Sequence, residues 1–195
     1  MKKNVFLAMA LLALMAVGAF AQTYNAESEF TVTKTATAVT ITGYVGTGVT
    51  LNVSIPPKIQ NLPVTAIGNN AFAGNTKLTS ITIPEGVYTI RDGAFMNTGL
   101  TSITLPKTVD AIGNMAFQAS NNLVSVTFNN NILVGNFGAL NPFEGDLRDK
   151  FFATNKASGT PGTYTRPNNK SGTWTLQHLQ RRRKKALPRK DFVGN

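Results

Sequence analysis

The sequence predicts a short solenoid: parallel β-strands stacked on one face, short helical or 3-10 turns opposite, and a β-hairpin cap at each end. Three observations lead there. A segment of 22 to 23 residues recurs with its apolar residues in the same frame. Each recurrence contains the period-two alternation of a strand that is buried on one side. The chain has no cysteine, so neither disulfides nor thiolate-bound metal can hold it together, and packing between coils must do so.

The chain starts with Met1, Lys2 and Lys3, then an apolar run from Val5 to Phe20 closed by Ala19-Phe20-Ala21. That is the layout of a signal peptide over residues 1–21, with cleavage expected after Ala21. Read instead as a retained anchor, the run would need a stop-transfer flank, and none follows. With the signal removed, no transmembrane segment is expected, and the protein is expected to be exported, to the extracellular space or cell surface, with the periplasm as the alternative.

Residues 22–49 form the expected N-terminal cap. Phe30 and Val32, then Val39 and Ile41, alternate with threonines on either side of Lys34 to Ala38, which predicts a hairpin over residues 28–46. Such a cap is needed because an open solenoid end exposes apolar coil and unpaired strand edge.

Residues 50–140 carry the repeats. Leu78-Thr-Ser-Ile81-Thr-Ile83-Pro84 is followed by Leu100-Thr-Ser-Ile103-Thr-Leu105-Pro106 and by Leu123-Val-Ser-Val126-Thr-Phe128, at spacings of 22 and 23 residues. Offsets 0, 3 and 5 point inward, and the residues between them face solvent. Val87, Val109 and Ile132 share the next position, then Ile90 and Ile112, then Phe95 and Phe117, each after an alanine; Ile67, Ala71 and Phe72 give the preceding copy. A stretched first copy keeps Val53, Ile55, Pro56 and Ile59 in frame, places Thr50 at the leucine position, and carries an insertion around Leu62 to Val64. One coil cannot bury itself, so stacked coils become each other's core. Pro56, Pro84 and Pro106 close their strands, where a missing N–H does no harm. The second half of each coil is too short for a long helix and suits a helical turn or two.

In residues 141–177, the C-terminal cap, Asp146-Leu-Arg-Asp149-Lys-Phe-Phe152 starts like a short helix with Asp146 as N-cap, and Leu147 and Phe151 are placed to seal the last coil. Tyr164-Thr-Arg166 and Thr173-Trp-Thr-Leu176, separated by Pro167 to Gly172, predict a second hairpin, with Trp174 a packing residue rather than a ligand contact. Residues 178–195 break from this pattern: Arg181-Arg-Arg-Lys-Lys185 packs five charges together with no cap or strand around them. Three readings stay open for this basic tail: disorder, a grip on anionic surfaces, or a shifted reading frame.

The linked positions L-x-x-I-x-I-P, Val, Ile-Gly and Ala-Phe resemble the BspA-like, or treponemal-type, leucine-rich repeat, and residues 50 to 132 carry them through about four copies. Arg91 stands where two other copies have Gly68 and Gly113, and Asn129 replaces the proline of the last coil. The resemblance implies a leucine-rich-repeat solenoid in an exported or surface bacterial protein that binds host or bacterial macromolecules, with adhesion as the associated role. No residue-level ligand motif transfers. The second hairpin resembles the segment that follows such arrays in some treponemal relatives.

The formal charge of +10 invites a nucleic-acid reading. Residues 22–177, however, hold ten Lys or Arg against eight Asp or Glu, so the basicity belongs to the two ends and nucleic acid is not the favoured partner. Catalysis is not expected: the single histidine, His178, lies beside the basic tail, and no Gly-rich phosphate loop is present. Glu144, Asp146 and Asp149 are the best acidic cluster, but Arg148 and Lys150 interleave them and helix capping accounts for them better than calcium. The sequence therefore assigns no catalytic, cofactor-binding or metal-ligating residue.

What remains is the outward face of the strands: Thr79, Ser80, Thr82, then Thr101, Ser102, Thr104, then Val124, Ser125, Thr127, expected in three columns. Threonine suits an exposed strand for its own sake. The functional reading is that this uncharged face binds a protein or glycan. A structural envelope protein without external ligand, and polyanion binding through the tail, are the rival readings; the sequence leaves the oligomeric state open.

Overall fold

A computed structural model describes residues 23–49 and 51–177. The signal-peptide pattern, Thr50 and the basic tail with His178 lie outside the described residues.

The expected hairpin forms from β1 (Phe30–Lys34) and β2 (Val39–Tyr44), paired antiparallel so that Phe30 faces Tyr44 and Lys34 faces Val39. The first coil holds β3 (Leu51–Ser54), β4 (Lys58–Ile59) and β5 (Leu62–Ile67). The next coils supply β6 (Leu78–Thr82) and β7 (Thr89–Ile90), then β8 (Ser102–Leu105) and β9 (Ala111–Ile112), then β10 (Ser125–Phe128). Beyond them lie helix α1 (Leu147–Phe151), β11 (Gly162–Thr165) and β12 (Thr175–Gln177).

Two parallel ribbons run along the stack. The first contains β3, β6, β8 and β10, which are the strands read from the repeat. The second, β2-β5-β7-β9, is built on the Ile67, Ile90 and Ile112 positions, and it takes in the hairpin strand β2. Parallel stacking therefore starts within the N-terminal cap. The insertion of the first coil is a tight β4-β5 hairpin whose two turn residues, Gln60 and Asn61, both take positive φ (52° and 64°), as a two-residue turn of primed type requires.

Leu51, not Thr50, fills the first leucine position: it pairs with Leu78 and is 8% exposed. The register then shifts, because Asn52 pairs with Ser80 and Thr79 is left over as a bulge. The Thr79 hydroxyl covers the defect by donating to the Leu51 carbonyl (3.3 Å). A bulge bends and twists the strand that carries it. Here β6 keeps a ladder with β3 but forms none with β8, to which a single long bond runs, from Thr101 N–H to Thr79 C=O at 3.4 Å. Uninterrupted pairing of every strand with its neighbours, expected from the repeat, does not occur at this seam.

The third side of each coil also departs from expectation. Where helical turns are predicted, residues around Phe72, Phe95 and Phe117 form hydrogen-bonded turns without helix or 3-10 structure. The reason lies in where the amides point. Phe72 N–H donates to Ala94 C=O of the next coil (2.8 Å), Phe95 N–H to Ala116 C=O (2.7 Å) and Phe117 N–H to Pro142 C=O (2.7 Å), so these donors are lost to any helix within the coil. Left-handed residues flank each Phe two positions before and two after: Asn70 and Gly74, Gly93 and Asn97, Met115 and Ala119.

The phenylalanines themselves stack ring on ring. Centroids lie 5.7 Å apart for Tyr44 and Phe72, 5.2 Å for Phe72 and Phe95, 5.1 Å for Phe95 and Phe117, and 4.7 Å for Phe117 and Phe143. Beside them the Leu, Ile and Val positions of both ribbons complete one continuous core. Two buried hydroxyls, Thr98 and Ser120, line up three residues after their phenylalanines, 2.8 Å apart.

At the C-terminal end, α1 seals the last coil as expected, with Leu147 and Phe151 fully buried and Phe151 stacked on Phe128 at 4.2 Å. Asp146 precedes the helix but makes no capping bond with its side chain. Its carboxylate instead accepts the backbone N–H of Trp174 (2.7 Å) and faces Lys150 at 3.7 Å. At the opposite end the Tyr44 hydroxyl donates to Glu29 (2.6 Å). That bond, ahead of one from Asn25, holds the Glu29 carboxyl below its usual range.

Phe95→Ala removes the middle ring of the stack and is expected to cost roughly 3–5 kcal/mol, enough to unfold a small domain; denaturant unfolding with an unchanged midpoint would refute the role given to the column. Ala119→Gly relieves a left-handed alanine, at the expense of a more flexible unfolded chain. It should raise stability by about 0.5–1 kcal/mol in the same measurement.

Candidate binding interface

All nine outward residues of the three strands point away from the core, as the alternation requires. Ser80, Thr82, Thr101, Ser102 and Thr104 are exposed; Thr79, Val124, Ser125 and Thr127 are half-buried. Across β8 and β10, Ser102 lies beside Ser125 and Thr104 beside Thr127. On β3 the corresponding positions are Asn52, beside Ser80, and Ser54, beside Thr82. The face thus begins one strand earlier than the sequence frame assigned. It is also divided: the seam between β6 and β8 interrupts the expected columns and opens a cleft of about 320 Å³ among Ser80, Thr82, Ser102, Thr104, Glu85 and Asn129.

The C-terminal hairpin extends the face further, which the sequence did not reveal. β11 pairs antiparallel with β10, and β12 pairs antiparallel with β11. Thr163 stands opposite Thr127 and Gln177; Thr165 stands opposite Ser125 and Thr175. The Thr127 and Thr163 hydroxyls are 2.9 Å apart, and the Gln177 amide donates to the Thr165 hydroxyl (2.7 Å). Alternation of small polar residues in β11 and β12 was the available signal, but the antiparallel docking onto β10 is set by contacts distant in sequence. From Asn52 to Gln177, no strand residue on this face is charged. Such a surface offers hydroxyls as both donors and acceptors, with no fixed charge to desolvate.

One buried latch holds the added strands in place. Arg166, 7% exposed, donates from Nε to the Leu123 carbonyl (2.7 Å), from Nη1 to that of Ser171 (3.1 Å) and from Nη2 to that of Asn121 (3.0 Å). Its guanidinium sits 5.1 Å from the centre of the Trp174 ring. Burial pushes the Arg166 pKa down, and the charge of Glu144 counters it. Trp174 is buried, and its ring N–H donates to the Glu144 carbonyl (2.8 Å), which makes it a packing residue. Two residues of the acidic cluster are engaged by the chain itself: the Glu144 carboxylate accepts Ala119 N–H of the preceding coil (2.8 Å), and Asp146 is engaged as described above.

Among known proteins, the family described as BspA type Leucine rich repeat region matches residues 47–140 in six copies. A leucine-rich-repeat protein of T. pallidum is similar over 52% of this chain and 59% of its own, at 26% identity and a TM-score of 0.42. A leucine-rich cell surface protein of Faecalibacterium prausnitzii is similar at 30% identity, over 44% of this chain and 22% of its own, with a TM-score of 0.37. A leucine-rich-repeat protein of Bacteroides ovatus is similar at 21% identity, over 60% of this chain and 41% of its own, with a TM-score of 0.28. The chain thus spans between 22% and 59% of the length of these three. No curated protein matches it.

Arg166→Lys keeps the charge but cannot reach three carbonyls with one ammonium group. It should cost roughly 2–4 kcal/mol, through buried carbonyls left unpaired, and should loosen β11 and β12 first. Hydrogen exchange of the β11 amides no faster than in the parent chain would contradict the latch.

Proposed function

Because residues 47–140 form a BspA-type leucine-rich-repeat region, a scaffold that in general binds proteins, we propose that this chain is an exported, non-enzymatic binding module at the cell surface or in the medium. The ligand is a protein or a protein-linked glycan, held on the hydroxyl face of the first ribbon, and adhesion to host or neighbouring bacterial cells is the role this serves. The observation that carries the reading is the hydroxyl and amide surface, without a charged strand residue, that spans the strands from β3 to β12 on both sides of the seam. Many weak hydrogen bonds over a flat surface suit a broad macromolecular partner better than a small molecule. The sequence pattern of residues 1–21 supports export, and among the described residues no helix is long and apolar enough to cross a membrane.

The test is to apply the full chain and its Thr104→Lys variant to surfaces coated with extracellular-matrix proteins and with mucin, while protease is applied to intact producing cells. Thr104 is exposed, so the variant should fold normally, with unchanged circular dichroism. Its retention should fall at least tenfold where the parent binds, a loss of about 1.4 kcal/mol. Early digestion of residues 22–177, with a periplasmic control protected, is expected; protection until lysis would exclude the surface role.

A further inference from the structure

The second ribbon carries a feature that the repeat does not call for. Gly68, Arg91, Gly113 and Gly138 occupy one column, each donating its N–H to an isoleucine carbonyl of the preceding coil. Neither Gly68 nor Gly113 has a positive φ, so glycine is not there for its conformation. It is there for room: a Cβ on Gly113 would lie 2.5 Å from the backbone nitrogen of Asp92, and one on Gly68 would lie 2.7 Å from the Ile41 carbonyl. Arg91 is thus the one long side chain in a column of glycines.

Below it the long loop of the last coil, with its 3-10 turn Val134–Asn136, joins the ribbon at Phe137 and lines with it a cleft of about 660 Å³. Arg91 lines this cleft from the ribbon and Arg148 lines it from α1. Among the described residues neither guanidinium makes a hydrogen bond or an ion pair; the salt bridge found there is that between Lys150 and Asp146. Arg148 is held by its packing, with its guanidinium 5.6 Å from the centre of the Phe152 ring. Its Nε–H is out of contact with solvent and has no partner, the kind of donor that folded proteins almost always satisfy. Val134, 39% exposed, adds an apolar lip.

We propose that this cleft is a second binding site, and that it takes a carboxylate-bearing peptide segment with an apolar residue beside the acidic one. Two arginines without hydrogen-bond or ion-pair partners among the described residues match the planar oxygens of a carboxylate. Asp92 also lines the cleft, its carboxylate bound to the backbone N–H of Asn114 (2.8 Å). A single negative charge on the ligand is therefore tolerated better than a phosphate or sulfate polyanion. The site lies on the second ribbon, apart from the hydroxyl face, and is independent of the function proposed for that face.

The test follows the arginine Nε–H resonances of the full chain by NMR during titration with N-acetyl-leucyl-glutamate amide, with its glutamine counterpart, and with sodium sulfate. The glutamyl probe should shift the Arg148 and Arg91 signals and bind at least about tenfold more tightly than the glutamine probe, as expected for loss of a charge-assisted contact. Arg91→Gly restores the residue of the neighbouring coils and should weaken the glutamyl probe at least about tenfold without unfolding the chain. The Thr104→Lys variant should bind the probe as the parent does, which separates failure here from failure of the hydroxyl face. Equal binding of the two peptides, an indifferent Arg91→Gly variant, or sulfate binding as tightly as the glutamyl peptide would each overturn the proposal.

Discussion

A coil of some 22 residues has no inside. Its apolar side chains point to a centre too narrow to exclude water, so the coil becomes a folded object only when another lies above and below it. Everything else in this structure follows from making that repeat regular at a spacing of about 4.8 Å, set by backbone hydrogen bonds between adjacent strands. The aromatic column obeys the same spacing. Its rings close from 5.7 Å at Tyr44 to 4.7 Å at Phe143, near the separation at which offset-stacked rings attract. The column fills the side of the coil away from the strands, where the chain must turn. There the turn amides donate to the next coil, so ring stacking and backbone pairing act on the same residues.

The ends show what happens when that regularity must stop. In the column, successive rings are nearly parallel, with interplanar angles of 6° to 29°. At the C-terminal end edge-on contacts appear beside stacked ones: Phe143 meets Phe128 at 72°, Phe128 meets Tyr164 at 85° and Phe137 meets Phe152 at 88°, while Phe151 stacks on Phe128 and on Phe137 at 27°. A ring face left open would invite another ring, and an edge-on neighbour covers it without offering a new flat face. At the N-terminal end Phe30 tilts by 55° against Tyr44 to the same effect. The strand edge is handled separately, by turning β11 and β12 antiparallel on β10, so the cap follows a different direction of chain while keeping the alternation of the face.

The parts of this fold legible in the sequence are those that repeat. Leu78, Leu100 and Leu123, or Phe72, Phe95 and Phe117, announce their positions because each must fill the same hole in successive coils. The two terminal hairpins were legible for a related reason: Thr-rich alternation flanks their turns. The left-handed residues were not, because the repeat tolerates Asn, Gly, Met or Ala at those positions and so leaves no signature. Nor was the Arg166 latch, since three of its partners are backbone carbonyls, which any sequence supplies. The expectation of helical turns failed for a physical reason: short segments were judged by length, whereas the choice between helix and turn was made by acceptors one coil away. Of the candidate face, the composition and outward direction could be read. Its division at the Thr79 bulge and its extension onto β11 and β12 could not, because both depend on register between distant strands.

The same division of labour explains how such a scaffold acquires sites without losing stability. Core positions are coupled, since a change in one ring alters the fit of two neighbours. Outward positions are nearly free, since Ser80 and Thr82 of β6 and Ser102 and Thr104 of β8 are exposed. Arg91 is the sharpest case, because it departs from the glycine of adjacent coils without shifting the ladder: its N–H still donates to Ile67, as Gly113 donates to Ile90. The bulge at Thr79 and the long loop of the last coil act likewise at the level of backbone, each opening a cleft while the column behind it continues unbroken. In a solenoid, then, the places where the repeat is broken on the outside and kept on the inside are where binding specificity can be built.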